Sequence, residues 1–255
     1  MKRLCGLALG VAAFFVGILG AHADTIYTWN FGGNQAPVPG ALSFTSNSGG
    51  KTVDVSAYST ANADGTGNLS AANIARYSGG LGVKNNFSND NGSVSNRESQ
   101  SPWHAIDNYR HVDLVVFEFE DLFRPVSFTI GYKGSDADIR VWLGGNSLGA
   151  NYNFADATPD QLSGLAALGF ANSWTFNNVP TNSPRQFNTT VYGRYLIVAA
   201  LPGHSNDAFK LKLLSAERYE VPEPGALALS ALALFGLAAA RRGPASSDRR
   251  RTGMA

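Results

Sequence analysis

The chain has 255 residues with a formal net charge of +1, and its length suits one sizeable domain or two small ones. Residues 24–220 hold 13 Lys and Arg against 17 Asp and Glu, a balance of −4, and the basic excess lies at the two ends. The middle of the chain therefore lacks the electrostatic footprint of a nucleic-acid binder.

Taken in order, the first element is a segment for export. Met1-Lys2-Arg3 precedes an apolar run from Leu4 to Gly20 and then Ala21-His22-Ala23. A basic start, an apolar stretch and a small-x-small site make a secretory signal peptide over 1–23, with cleavage expected after Ala23. The single cysteine, Cys5, sits inside that apolar run. Disulfides, thiol nucleophiles and cysteine-type zinc sites are thereby excluded from the exported part.

Residues 24–220 read as strands. Alternation runs through Thr25 to Phe31 and Lys51 to Tyr58. Val112 to Phe119 and Val126 to Tyr132 read as an adjacent antiparallel pair linked by Glu120 to Pro125. Further strands are expected at Ala137 to Leu143, Ser173 to Asn177, Gln186 to Tyr192, Tyr195 to Leu201 and Ala208 to Arg218. One short helix is expected between them: Thr158 caps it, Pro159 opens it and Gly169 closes it, with Leu162 to Leu168 as its body. The segments near 60–72, 84–101 and 177–188 are rich in Asn, Ser and Gly and read as loops. The fold class is all-β: a single β-sandwich, jelly-roll-like, with one short helix.

Several residues carry candidate chemistry. Asp107 and Asn108 precede a strand, and Asp136 and Asp138 alternate onto one face. In the plain reading Asp107 and Asn108 tie down a turn through their own backbone. In the sharper one the four supply hard oxygen ligands for Ca²⁺. Asn89-Asp90-Asn91-Gly92 imitates the start of an EF-hand loop, but the closing Glu is missing, so that motif is rejected. Trp103, beside Pro102 and His104, is the aromatic most suited to stack on a sugar, whereas the other tryptophans fall in strand alternation and read as core. Glu118 and Glu120 share a strand face, which allows a glycosidase pair geometrically, although solubilising carboxylates are far commoner there. No H-E-x-x-H and no G-x-S-x-G pattern is present.

The end of the chain is the most specific signal. Val221-Pro222-Glu223-Pro224 is followed by an uncharged Ala/Leu-rich run from Gly225 to Ala240 and then Arg241-Arg242. As a helix the run would reach about 24 Å, slightly short of a hydrocarbon core, with the arginines held at the cytoplasmic face. These three parts resemble the PEP-CTERM sorting signal of exosortase substrates. The resemblance implies recognition of Val221, Pro222, Glu223 and Pro224 by a membrane-embedded transpeptidase-like protease, with Arg241 and Arg242 as the stop. It also implies transient passage through the inner membrane of a Gram-negative bacterium. Thirteen residues continue past Arg242, where such tails usually end sooner.

A second resemblance lies inside the domain. Gly80-Leu81-Gly82-Val83 followed by His104-Ala105-Ile106-Asp107-Asn108 and a strand is similar to a group of exosortase-dependent surface proteins. It implies location rather than chemistry. The expected function is a non-catalytic surface or extracellular-matrix protein with a polysaccharide-binding or adhesive domain. The alternative is a secreted glycan hydrolase using paired carboxylates.

Overall fold

The computed structural model describes residues 25–87, 104–157, 162–203 and 206–220, with positions 233, 234 and 237 of the tail. The signal segment, Trp103, residues 158–161 and the sorting motif lie outside the described residues. The strands all fall in one unit of the chain that ends at Tyr219.

Side-chain alternation builds the strands. In β1 (Ile26–Asn30) Tyr27 and Trp29 point into the core while Ile26 and Asn30 face solvent. Two short strands follow, β2 (Gln35–Val38) and β3 (Ala41–Thr45). Then β4 (Thr52–Thr60) buries Val53 and Val55 on one face. The segments β5 (Leu69–Tyr77) and β6 (Gly80–Lys84) form a hairpin running from Asn73↔Lys84 to Tyr77↔Gly80. A two-residue strand, β7 (Ile106–Asp107), precedes the longest element, β8 (Asp113–Lys133). The remaining strands are β9 (Ile139–Gly144), β10 (Asn172–Phe176), β11 (Arg185–Gln186), β12 (Gly193–Ala200) and β13 (Ala208–Arg218).

The expected pair of strands around Glu120 to Pro125 is instead the single 21-residue strand β8. Although the link holds Asp121 and Pro125, both common in turns, it stays extended because its side chains find partners in that form. Phe119, Phe123 and Pro125 are buried, and Asp121 is held between Lys51 Nζ at 2.9 Å and Arg218 Nε at 2.7 Å. Pro125 has no N–H to give the ladder, and the register against β13 shifts between Ser215 and Ala216, where it pairs. The strand changes neighbours across this point. Its first part pairs with β4 from Ser59↔Asp113 to Val53↔Phe119, and its second with β13 from Arg218↔Phe123 to Phe209↔Lys133.

That change of partner closes the sheet on itself. The strands β4, β8, β13, β6 and β5 form a closed five-stranded ring, with β6 joined to β13 through Leu211↔Leu81. The two separate sheets of a sandwich are replaced by one continuous hydrogen-bonded sheet, to which β12, β9 and β10 add on the far side of β8.

Two hydrophobic clusters explain why β8 and β12 read as unbroken apolar runs. Val115, Phe117 and Phe119 enter one cluster with Trp29, Phe31 and Leu214, while Leu114 and Val116 enter the other with Phe154 and Leu165. In β12 the same division puts Leu196 and Val198 in the first cluster and Tyr195 and Ile197 in the second. A strand buried on both faces loses polar alternation.

The expected helix is a 3-10 helix, Leu162–Leu168, preceded by one α-helical turn at Phe154–Ala157. With three residues per turn, Leu162, Leu165 and Leu168 line one edge, and all three pack on the second cluster. Ser163 and Gly164 within the run favour the α-helix poorly. Gly169 ends it at φ 89, a conformation that favours glycine.

Candidate functional site

The His104 to Asn108 segment is built into the barrel rather than displayed. Through β7 it pairs with the start of β13, Ala208↔Asp107 and Phe209↔Ile106. The Asp107 carboxylate accepts the Tyr109 N–H at 3.0 Å, so it closes a turn as the plain reading expects. Asn108, fully buried, clasps a segment 99 residues away. Its Nδ2 donates to Asp207 Oδ2 at 2.7 Å, its Oδ1 accepts the Asp207 N–H at 3.1 Å, and its own N–H reaches the Asp207 carbonyl at 3.3 Å. The same Nδ2 donates to the Leu201 carbonyl at 2.7 Å.

Of the four oxygen ligands expected for calcium, the fold gathers Asp136 and Asp138 and adds Asp207, with one carboxylate oxygen of each lying within 4.8 Å of the others. Asp107 lies outside that trio and closes its own turn, while Asn108 touches it by donating Nδ2 to Asp207 Oδ2 at 2.7 Å. Sequence spacing does not reveal Asp207, because it lies about 70 residues beyond Asp136 and arrives through β13. Each carboxylate already accepts a backbone amide: Asp136 from Ala137 at 2.8 Å, Asp138 from Asn178 at 2.7 Å, and Asp207 from Asp138 at 2.8 Å. Burial raises the Asp207 carboxyl above the usual carboxylate range, against the pull of the Asp138 amide and Asn108. The three acids brace the loops before β9 and β13.

The Gly-Leu-Gly-Val segment and the His104 segment meet in space. A side-chain carbon on Gly82 would lie 1.8 Å from the His104 carbonyl oxygen, and one on Gly80 would lie 2.1 Å from the Leu211 carbonyl oxygen. Each glycine thus admits a backbone segment pressed against β6. The His104 ring is buried and stacks on Tyr77, centroids 6.0 Å apart. Burial, and then the charges of Lys84 and Lys210, push its pKa down to about 4. It is part of the packing, not a platform at the surface.

Beside it lies a cleft of about 560 Å³ that the sequence did not disclose. Tyr77 and Tyr132, both half-buried, form aromatic walls, and Lys210 sits between them with its Nζ 3.9 Å and 5.1 Å from the two ring centres. Lys210 is 2% exposed, and burial lowers its pKa to about 8. Lys212 and the exposed Asn182 stand at the rim, with Lys212 Nζ donating to Asn182 Oδ1 at 3.3 Å. Gly79 and Gly131 form the floor: a side-chain carbon on Gly131 would meet the Gly79 carbonyl oxygen at 2.5 Å.

The Glu118 and Glu120 pair is occupied by structural partners. Glu118 accepts the Asn151 N–H at 2.9 Å and pairs with Arg194 at 3.2 Å. Glu120 accepts from the Thr52 hydroxyl and faces Lys51 at 3.6 Å.

The comparisons concern the tail. The PEP-CTERM protein-sorting motif matches residues 220–242, which takes in Val221, Pro222, Glu223 and Pro224 and ends at Arg242, the expected stop. The segment after Arg242 lies beyond the match. No curated protein and no solved structure matches the chain. No helix of the described residues is long and apolar enough to cross a membrane, and most of 225–240 lies outside them. The motif marks an exported protein sorted by an exosortase to the surface of a Gram-negative cell.

Proposed function

We propose that this exosortase-sorted chain carries a non-catalytic barrel, residues 24–220, that binds polysaccharide at the cell surface or in the extracellular matrix. The sorting tail at 220–242 supports the location in that reading, because it marks the chain for export and cell-surface sorting. The cleft between Tyr77 and Tyr132 supports the binding. Two half-buried tyrosines give the concave site aromatic walls, and the polar rim supplies hydrogen bonds for sugar hydroxyls. A hydrolase would need free carboxylates flanking a cleft, and Glu118 and Glu120 are instead held by Arg194, the Asn151 amide, Thr52 and Lys51.

Mass spectrometry of the mature protein from an exosortase-bearing host tests the sorting half. A C-terminus near Pro224 is expected, and a chain still ending at Ala255 would overturn it. Binding of the full chain to a glycan panel tests the other half, and a panel without a hit would overturn that.

A further inference from the structure

We infer that the Tyr77–Tyr132 cleft takes an acidic polysaccharide, one whose sugar rings carry carboxylates. This deepens the polysaccharide reading above and rests on it.

The cleft's charge runs against that of its domain. Residues 24–220 carry a balance of −4, yet among the described residues the charged side chains lining the cleft, Lys210 and Lys212, are both basic. A third cation stands behind the wall. Arg76 Nη2 donates to the Gly32 carbonyl at 2.7 Å, and its guanidinium lies about 2.9 Å from where a side chain on Gly33, a lining residue, would begin. Low-dielectric walls focus the field of such a group of cations, so an anion entering here gains more than it would at an open surface.

The aromatic walls separate a carboxylated sugar from a simple anion. Lys210 rests between the Tyr77 and Tyr132 rings, whose negative faces attract its ammonium and fix its place in the wall. Lys212, partly exposed at the rim, is the cation that meets the ligand directly, and Asn182 beside it supplies an amide for hydroxyl groups. The floor of Gly79 and Gly131 leaves backbone at the surface of the cleft, without side chains to fill it. At about 560 Å³ the space lies within the range of small-ligand sites.

The test is binding of the full chain, in detergent and at low salt, to polygalacturonate, dextran and polyglutamate. Polygalacturonate is expected to bind, with dextran at least about tenfold weaker, the value of one charge-assisted hydrogen bond, and polyglutamate, which keeps carboxylates but lacks sugar rings and their hydroxyls, weaker by at least about tenfold as well. Lys212→Gln is expected to weaken polygalacturonate about tenfold, while Arg110→Gln, which removes the same charge from an exposed site outside the cleft, changes it less than about twofold. Equal loss in the two variants would overturn the site. Dextran binding as well as polygalacturonate would overturn the acidic preference while leaving the polysaccharide reading intact. Polyglutamate binding equally well would reduce the cleft to an anion site. Failure of every glycan would overturn both readings.

Discussion

The ammonium of Lys210 stands 3.9 Å from the centre of the Tyr77 ring, and the His104 ring stacks on the same tyrosine with centroids 6.0 Å apart. A cation and a neutral imidazole thus share one tyrosine from two different parts of the chain. Both groups are buried, and burial moves both pKa values down, to about 8 and about 4. Each shift has a consequence for stability, and the two fall in separate pH windows.

For His104 the folded protein binds fewer protons than the unfolded chain between the ordinary value of 6.5 and about 4. Stability therefore rises with pH across that window and is fully present above it. Melting of the full chain is expected to weaken on acidification from pH 6.5 to 4, with a shallower slope in His104→Gln. An unchanged slope in that variant would show that other groups carry the acid limb.

Lys210 follows the same sign in an alkaline window. Its pKa falls from 10.5 to about 8, so the unfolded chain holds more protons between those values and stability rises with pH there. Lys210→Met removes the titrating group and keeps its length, so the rise between pH 8 and 10.5 is expected to flatten. Denaturant midpoints at pH 7.5 and 10 compare the two proteins.

Asn108 is a second point of strain if altered. It bonds Leu201 and Asp207 through Nδ2 and receives the Asp207 amide on Oδ1. Asn108→Asp would replace a donor by a carboxylate facing the buried Asp207. A loss of about 3 kcal/mol in urea unfolding is expected, since a buried acceptor pair is left without its proton. Asn108→Ala is expected to cost less, because it removes the polar group without adding charge.

The glycines divide by what their missing side chain would meet. Gly82→Ala drives a carbon to 1.8 Å from the His104 carbonyl, so a loss of about 3 kcal/mol or more is expected. Gly40→Ala meets nothing within 4 Å and is opposed only by its φ of 85, at a cost of about 1 kcal/mol. Thermal unfolding of the two variants should rank them in that order.

Replacing Pro222 and Pro224 together by Ala is expected to leave the tail uncut in an exosortase-bearing host, with the full-length chain retained in the inner-membrane fraction. Immunoblotting of membrane and surface fractions reads this directly. Surface delivery at the parental level would show that the proline pair is dispensable.

Strands whose two faces see different surroundings were legible in the sequence. Alternation marks β1, β4, β9, β10 and β13, where one face packs and the other meets solvent or a different cluster, and an apolar run marks β12, which is buried on both faces. The hairpin β5 and β6 was hidden. Three of the four buried positions in one strand are Ala72, Ile74 and Ala75, and the other strand is a Gly-Leu-Gly-Val run, too small and too rich in glycine to look like strand. The glycines that obscured β6 are the ones that let it lie against Leu211 and His104.

The sequence by itself determined where this protein goes, because a sorting tail is read by another molecule as a linear string: a short motif, an apolar run and a basic stop. It also determined that the exported part is all-β and free of disulfides, since period-two patterning and cysteine content are local properties. Only the tertiary structure decided that β8 stays unbroken and closes the sheet into a ring, that Asp207 joins Asp136 and Asp138, and that Tyr77, Tyr132 and Lys210 wall one cleft. Those relationships join residues tens of positions apart, and it is strand register, set by the packing of the whole core, that brings them together.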